Sequence, residues 1–439
     1  MNKFFICSSS ACMERMLDSQ KIYSYLKAND WIPADKVPDA DLLIISTCAF
    51  GEYEDRCCVE LIRHYTDQKK GSAKVILAGC LPVINPSLLD GMGEMFVVSP
   101  TDLDKLDGFL NVKVKFTDVA EPNRILPAEV SYKPSLKKIL NVSSLLAGLR
   151  SGIGWGRDPL GKWLGGIKNF IRSVALVRSY INPFLVGARD RLFYLRISRG
   201  CLGHCTYCAK KFATGTLQSK PLDRIINEFR SGLELKEKRF FLLTEDAGCY
   251  GQDIGTTVID LLNDLFAAGK GHDFSLIISN LNAEWFIKYY DELEESVIRN
   301  QAKVLYVHIP IQSGSGRILR LMNRPYVIGD VERCLLRLRS KVPELKLSTD
   351  IMVGFPGETQ EDLNLTREFL ERVRFDFADI FGYENRPNTP ASRLPGRFSR
   401  QEIEERRFCL LKVQDENAKT GTVVKKVVEV SGDFIRRKA

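Results

Sequence analysis

The chain opens on short apolar runs set between longer stretches in which apolar side chains recur at intervals of three and four. Three runs of strand length come first, Lys3–Cys7, Asp41–Thr47 and Lys74–Gly79, and a fourth, Met95–Ser99, follows. Between them Leu17–Lys27 and Cys57–Gln68 carry the spacing of amphipathic helices. Strands alternating with helices of this length predict a small parallel α/β domain of flavodoxin-like topology over residues 1–118, with the strand order left open.

A second alternation begins at Phe193. Strand-like runs fall at Phe193–Ser198, Phe240–Thr244, Phe274–Ser279, Val304–Ile309, Leu347–Met352 and Asp376–Gly382. Helical patterns lie between them; in Leu222–Leu235 the side chains of Leu222, Ile225, Ile226, Phe229 and Leu233 share one face. Six strand–helix units predict a curved parallel sheet over residues 189–420, a partial (β/α)6 barrel with its active residues at the C-terminal ends of the strands. Gln401–Thr420 has a helical pattern, and Val423–Val430 could add one strand to a short tail, residues 421–439. Residues 119–188 join the two domains. The first part, 120–135, is rich in Pro, Glu and Lys and reads as a linker, whereas Leu136–Ala188 is apolar, basic and glycine-rich with helix-length pieces such as Leu160–Val177. Interior glycine weakens a helix by about 1 kcal/mol relative to alanine, so these pieces depend on packing against something else. The protein's own core comes first, then a substrate or partner, then a membrane surface.

Composition adds exclusions. With 439 residues, 44% hydrophobic and 27% charged, the chain is of ordinary globular type and long enough for two or three domains. No run approaches the roughly 18 apolar residues of a spanning helix, and Met1–Ser10 reads as a strand, not a signal peptide. A cytoplasmic location follows as the expectation. The 12 cysteines are then reduced thiols and not a disulfide scaffold. A formal charge of +8 suits RNA or another polyanion, but it equally suits a slightly basic protein with no such partner.

Chemistry concentrates in the cysteines. Directly after the first strand of the second domain stands Gly200-Cys201-Leu202-Gly203-His204-Cys205-Thr206-Tyr207-Cys208. This spacing puts three soft thiolates on one loop, a donor set that suits an iron–sulfur cluster or zinc. A cubane cluster has four irons, so three cysteines leave one coordination position open; a structural zinc site normally has four protein ligands. No obvious fourth ligand stands nearby, and His204 reads as structural or solvent-facing. Cys12, Cys48 and Cys80 each follow a predicted strand of the first domain. Loops after adjacent parallel strands converge on one sheet edge, so these three could hold a second cluster, again with one iron open. Cys7, Cys57, Cys58, Cys249, Cys334 and Cys409 fall outside both sets and read as buried free thiols.

The Cys201 loop resembles that of the radical S-adenosylmethionine superfamily. LTEDAGCYGQDIG (Leu243–Gly255), IPIQSGSGRILRLMNRPY (Ile309–Tyr326), DIMVGFPGET (Asp350–Thr359) and YENRPNTPAS (Tyr383–Ser392) resemble its methylthiotransferases, most closely the branch that modifies threonylcarbamoyl-adenosine in tRNA. ACMERMLDSQ, STCAF and AGCLP look like that family's three auxiliary-cluster segments. The likeness spans most of residues 1–420 apart from the central stretch. It implies two 4Fe-4S clusters, S-adenosyl-L-methionine, and an electron donor such as flavodoxin or ferredoxin. One S-adenosylmethionine would methylate sulfur on the auxiliary cluster at Cys12, Cys48 and Cys80. A second, cleaved at Cys201, Cys205 and Cys208, would give a deoxyadenosyl radical that removes hydrogen from an unactivated carbon, which then collects the methylthio group. Tyr207 matches the aromatic that packs against the cofactor's adenine.

Other positions admit roles beside plainer readings. Thr244, Glu245 and Asp246 end a strand and could receive the cofactor's ammonium group. Gln312 and Ser313 end another and could bind ribose hydroxyls or orient substrate. Gly354 permits a tight turn near a ligand. Arg386 could pair with a substrate or cofactor carboxylate. Each is also what an ordinary βα turn or a surface arginine would supply.

Three departures bear on the substrate. Only 19 residues follow Thr420, too few for the family's small C-terminal β-barrel. The apolar insertion replaces a short linker, and Arg15 stands where an asparagine is usual. The expectation is therefore an unusual substrate, a polypeptide side chain first, held in an apolar groove built by residues 136–188. A tRNA adenosine comes second, with Arg393–Arg407 supplying phosphate contacts. A non-catalytic iron–sulfur scaffold comes third.

Overall fold

The predicted runs at the start of the chain become parallel strands because their side chains alternate between two buried faces. In the computed structural model, which describes residues 2–9, 12–110, 112–126, 131–132 and 192–419, β1 (Lys3–Ser8), β2 (Ile32–Pro33), β3 (Leu42–Thr47), β4 (Lys74–Gly79) and β5 (Phe96–Val98) form one sheet. Its order is β2-β1-β3-β4-β5, every pair parallel. This is the flavodoxin-like order, with its topological switch point between β1 and β3. A two-residue strand, β6 (Ser131–Tyr132), pairs with the end of β1 inside the stretch that the composition marks as linker.

The period of two divides the core. Phe4, Ile6, Leu42, Ile44 and Ile76 meet Ile22, Tyr25 and Leu26 of α1 (Met13–Ala28) on one face. Cys7, Leu43, Ile45, Val75 and Leu77 meet Cys58, Ile62 and Tyr65 of α2 (Glu52–Thr66) on the other. All six residues of β3 are buried, as expected of a central parallel strand. Helix α1 begins four residues before its predicted start, since Glu14, Arg15 and Asp18 of its first turns are buried and not exposed.

The described chain divides into two units. One takes residues 2–132, 192–274 and 384–392; the other takes 275–383 and 393–419. The first unit also contains β7 (Phe193–Arg196) and β10 (Arg239–Leu243), parallel and in register from Phe193↔Phe240 to Arg196↔Leu243. The predicted strand Phe193–Ser198 is interrupted at Ile197, and β8 (Ser198–Arg199) instead pairs antiparallel with β9 (Gln218–Ser219). A short helix, α3 (Lys210–Thr214), follows the Cys201 loop, and α4 (Leu222–Glu234) stacks Phe229 edge-on against Phe240 of β10.

In the second unit β11 (Ser275–Ile278), β12 (Val304–His308), β13 (Lys346–Val353) and β14 (Phe377–Gly382) are parallel neighbours in sequence order. Helix α5 (Gln360–Val373) starts at a capping box of Thr359 and Asp362, and α6 (Arg400–Lys419) is the predicted tail helix. The fold class is thus α/β as expected, a flavodoxin-like sheet followed by the six strand–helix units of a partial barrel. Leu160–Val177 and Val423–Val430 lie outside the described residues. Among the described residues no helix is long and apolar enough to cross a membrane.

Residues 384–392 belong to the first unit through specific bonds. Arg386 forks onto Asp55 of α2 at 2.8 and 3.1 Å, with the two side chains only 5% and 4% exposed. Glu384 accepts the Glu52 N–H, and the Ala391 N–H donates to Thr206 O at 2.9 Å. A buried guanidinium stripped of its carboxylate is costly, so Asp55→Ala is expected to lower unfolding free energy by about 3–5 kcal/mol in denaturant titration. Pairing that change with Arg386→Met should recover much of the loss. A penalty below about 1 kcal/mol for the single variant would contradict the assignment.

Candidate functional site

The parallel register of β3 and β4 aligns Thr47 with Gly79, so Cys48 and Cys80 emerge side by side one residue later. Gly79 has φ +126°, and a Cβ there would stand 2.3 Å from Thr47 O; only glycine lets the two strands end so close together. The Cys80 N–H then donates to Thr47 O at 3.2 Å. On the other side of β3, Ser8 of β1 lies opposite Ser46. The chain leaving β1 reaches Cys12, which caps α1 by accepting the Met16 N–H at 3.0 Å. All three predicted cysteines therefore sit at the C-terminal edge of the sheet, two of them flanking the switch point.

The electrostatics agree with that convergence. Burial pushes the Cys48 thiol well up, and negative charge on Cys12 or Cys80 pushes it further. Burial, with Glu14 assisting, holds Cys12 at about 11. Burial also raises Cys80, opposed by Arg15 and Lys210. These thiolates lack water to stabilise them and need a cation, which fits a soft metal cluster. Cys58 props Cys48 from behind; its sulfur accepts the Cys48 N–H and donates to Cys48 O, both at 3.2 Å.

The second predicted set lies in the same unit. Gly200 has φ +71°, and its missing Cβ would stand 2.1 Å from Thr216 O, so glycine is required just before Cys201. The Gly203 N–H donates to Cys201 Sγ at 3.1 Å. A Cβ on Gly203 would lie 3.2 Å from Cys201 Sγ and 3.9 Å from Cys205 Sγ, so both sulfurs turn to the bare side of that residue. The Cys208 N–H donates to Cys205 O at 3.2 Å. All three cysteines are partly exposed, as a loop receiving an external ligand requires, and Tyr207 lies half-buried among them. His204 is exposed, in line with its solvent-facing reading.

The end of β10 faces this loop. Thr244 Oγ1 is 2.6 Å from Ser198 Oγ and accepts the Asp246 N–H at 3.2 Å. Glu245 lies 3.6 Å from Lys210 Nζ, and its carboxyl is pushed up by burial and then by Glu14. Asp246 Oδ1 accepts the Gly248 N–H at 3.0 Å, while Oδ2 is 3.8 Å from Cys201 Sγ. Cys249, which the sequence reading placed among core thiols, is buried, yet its sulfur lies with Cys201 Sγ and the Asp246 carboxylate inside 4.8 Å. Its hydrogen bond holds the Cys201 thiol below the usual range. The available signal is its place on the turn that follows Thr244–Asp246. Cys7 and Cys58 are buried as expected, whereas Cys57, Cys334 and Cys409 are partly exposed.

A buried ionic network that the sequence reading missed joins the two cysteine sets. Lys210, two residues after Cys208, reaches Glu14 at 2.8 Å, two residues after Cys12. Burial pushes Glu14 up, but Lys210 and Arg15 overcome it and hold the carboxyl at about 2. Asp18 takes three guanidiniums: Arg15 at 3.2 Å, Arg196 at 2.9 Å and Arg199 at 2.7 Å. Glu121 pairs with Lys21 at 2.7 Å and with Arg196 at 3.6 Å. Ala209, just ahead of α3, and Ala213 within it share one apolar cluster with Cys48 and Cys80.

Other predicted residues stand elsewhere. Gln312, Ser313 and Gly354 are in the second unit. Gln312 has φ +74°, and its Oε1 is buried with no hydrogen-bond partner among the described residues. Ser313 is fully buried, accepting the Ser315 N–H at 3.1 Å, and Gly354, at φ +70°, donates its N–H to Glu358 at 2.9 Å. The carboxylate that Arg386 holds is Asp55's. In the basic stretch 393–407, Arg393, Arg397 and Arg400 are exposed, but Arg406 pairs with Glu358 and Arg407 turns inward to Ile380 O.

Comparison with known proteins finds matches for both parts of the chain. Residues 195–370 match the Radical SAM superfamily, and residues 4–98 match the Uncharacterized protein family UPF0004. A probable threonylcarbamoyladenosine tRNA methylthiotransferase of Pyrococcus abyssi is 31% identical over 361 residues, covering 82% of this chain and 72% of that one. The ribosomal protein uS12 methylthiotransferase RimO of Chlamydia pneumoniae is 27% identical over 413 residues, covering 93% and 76%. Among solved structures, the radical S-adenosylmethionine methyltransferase TsrM of Kitasatospora setae matches in fold with a TM-score of 0.58 at 13% identity, over 89% of this chain and 75% of that one. With a relative this similar along most of both chains, the protein belongs to the radical S-adenosylmethionine methylthiotransferases, enzymes of sulfur insertion and methyl transfer that carry two 4Fe-4S clusters and use S-adenosylmethionine.

Proposed function

We propose that Cys201, Cys205 and Cys208 hold the radical-forming cluster, that Cys12, Cys48 and Cys80 hold the auxiliary cluster, and that the product is a carbon–sulfur–methyl unit. The observation that carries this reading is the convergence of two three-cysteine sets within one unit, bridged by the Lys210–Glu14 pair. When bound, the clusters and S-adenosylmethionine supply a 5′-deoxyadenosyl radical and a transferable methylthio sulfur. The chain's own part is to hold six sulfurs in two sets of three and to exclude water from the reacting atoms. Tyr207 packs against adenine. Glu245 and the main chain of Thr244–Asp246 receive the cofactor's ammonium, for which Glu245 must shed its contact with Lys210. Gln312, whose Oε1 has no partner among the described residues, binds a ribose hydroxyl or orients substrate, with Ser313 and the Gly354 turn supporting the strand ends of the second unit. Residues 1–118 form the auxiliary-cluster domain and 189–420 the radical domain. Arg386 is a structural tie to Asp55. Reducing equivalents come from a carrier of the flavodoxin or ferredoxin class.

For the substrate, a threonylcarbamoyl-type adenosine of tRNA takes first place, ahead of the polypeptide that the sequence reading favoured. It is supported by the 31% relative named for that substrate and by the exposed Arg393, Arg397 and Arg400. A polypeptide side chain is the second reading, supported by the likeness to a uS12 methylthiotransferase along 93% of the chain.

Two outcomes follow. In anaerobically reconstituted protein given dithionite and S-adenosylmethionine, Cys205→Ala should reduce 5′-deoxyadenosine to background by chromatography; wild-type yield in that variant would remove Cys205 from the cluster. Mass spectrometry of tRNA nucleosides and ribosomal peptides, from cells with and without the gene, should show a methylthio increment on threonylcarbamoyl-adenosine that depends on it. An increment confined to a peptide would replace the tRNA reading with the polypeptide one.

A further inference from the structure

Arg15 stands on the first turn of α1, three residues after Cys12, so the two share a helix face. It is 2% exposed, and it lines a small cavity with Asp18, Ser19, Ser46 and Gly79. Ser46 is the next-to-last residue of β3 and Gly79 the last of β4, just ahead of Cys48 and Cys80, and the Arg15 guanidinium is close enough to Cys12 and Cys80 to meet charge on either sulfur. Among the described residues, Arg15 Nε and Nη1 have no hydrogen-bond acceptor; Nη1 approaches Asp18 at 3.2 Å without hydrogen-bond geometry. Asp18 cannot neutralise it alone, because Arg196 and Arg199 share the same carboxylate.

The surrounding charges do not balance. Arg15, Arg196 and Arg199 share the single Asp18 carboxylate, and Glu121 meets Arg196 and Lys21, so the side of the network around Arg15 holds more cationic than anionic groups. An unbalanced buried charge is unfavourable unless a counter-ion meets it. A cube with two positive charges held by three thiolates bears one net negative charge, which is the missing complement. We propose that Arg15 is the fixed countercharge of the cluster at Cys12, Cys48 and Cys80 and raises that cluster's reduction potential. The inference rests on the ligand assignment proposed above. Arg15 acts through charge, as a positioning residue: reduction adds a negative charge to the cube, and the nearby guanidinium favours the product of that step.

The test uses full-length protein carrying Cys201, Cys205 and Cys208→Ala, so that only the auxiliary cluster remains, and follows its reduction by EPR against potential. Arg15→Asn should shift the equilibrium about tenfold or more towards the oxidised cluster, about 59 mV for a one-electron couple. Arg15→Lys should shift it less. Asp18→Asn, which removes a neighbouring negative charge, should shift it the opposite way. If Arg15→Asn prevents cluster assembly, the sign seen in Asp18→Asn decides. An unchanged midpoint in Arg15→Asn at normal iron content, or a shift of the same sign in Asp18→Asn, would overturn the inference and leave Arg15 a structural ion pair. If the parent with only the auxiliary cysteines contains no iron, the ligand assignment itself falls and takes the inference with it; that failure is recognised before Arg15 is altered.

Discussion

Buried charge must be answered by buried charge, and in this chain that requirement governs the first unit. Asp18 gathers Arg15 from its own helix and Arg196 and Arg199 from strands far along the sequence, while Glu14 receives Lys210. Removing the Asp18 carboxylate would leave the buried Arg15 and Arg196 guanidiniums short of a counter-ion, which costs several kcal/mol. The network therefore fixes how the loop after β1 stands relative to the loop after β7. Those two loops carry Cys12 and the Cys201 set.

The sheet supplies the rest of the placement. Parallel strands in register end together, and their following loops share one edge. Cys48 and Cys80 meet because β3 and β4 are aligned to the last residue and Gly79 lets them close up. Cysteine at a strand end is thus positioned by backbone geometry before any side-chain packing is considered. This explains how residues separated by more than thirty positions can serve one cluster, while the other set needs only a single loop.

Much of this was legible in the sequence. The strands declared themselves by their length and flanks, the Cys201 loop by its spacing, and Cys12, Cys48 and Cys80 by following predicted strands. What escaped the reading has a common physical cause. The first turn of α1 was missed because Glu14, Arg15 and Asp18 are buried through partners almost two hundred residues away, and such pairing leaves no local pattern. Strands β2 and β6 have two residues each, too few for a period to register. Arg386 read as a partner for a substrate or cofactor carboxylate or as a surface arginine, and it is buried against the carboxylate of Asp55 in α2. Arg406 and Arg407 counted as basic surface by composition, yet both are spent inside the second unit. Cys249 looked like any core thiol until folding set it beside Cys201.

The assignment of two clusters to two cysteine sets is most directly tested by counting iron and acid-labile sulfide per chain, with Mössbauer spectroscopy to identify the cluster type. The account predicts about eight irons in the intact chain and about four when either set, Cys12, Cys48 and Cys80 or Cys201, Cys205 and Cys208, is replaced by alanine. A count that stays at the intact level after either replacement, or zinc in place of iron at the Cys201 loop, would contradict it.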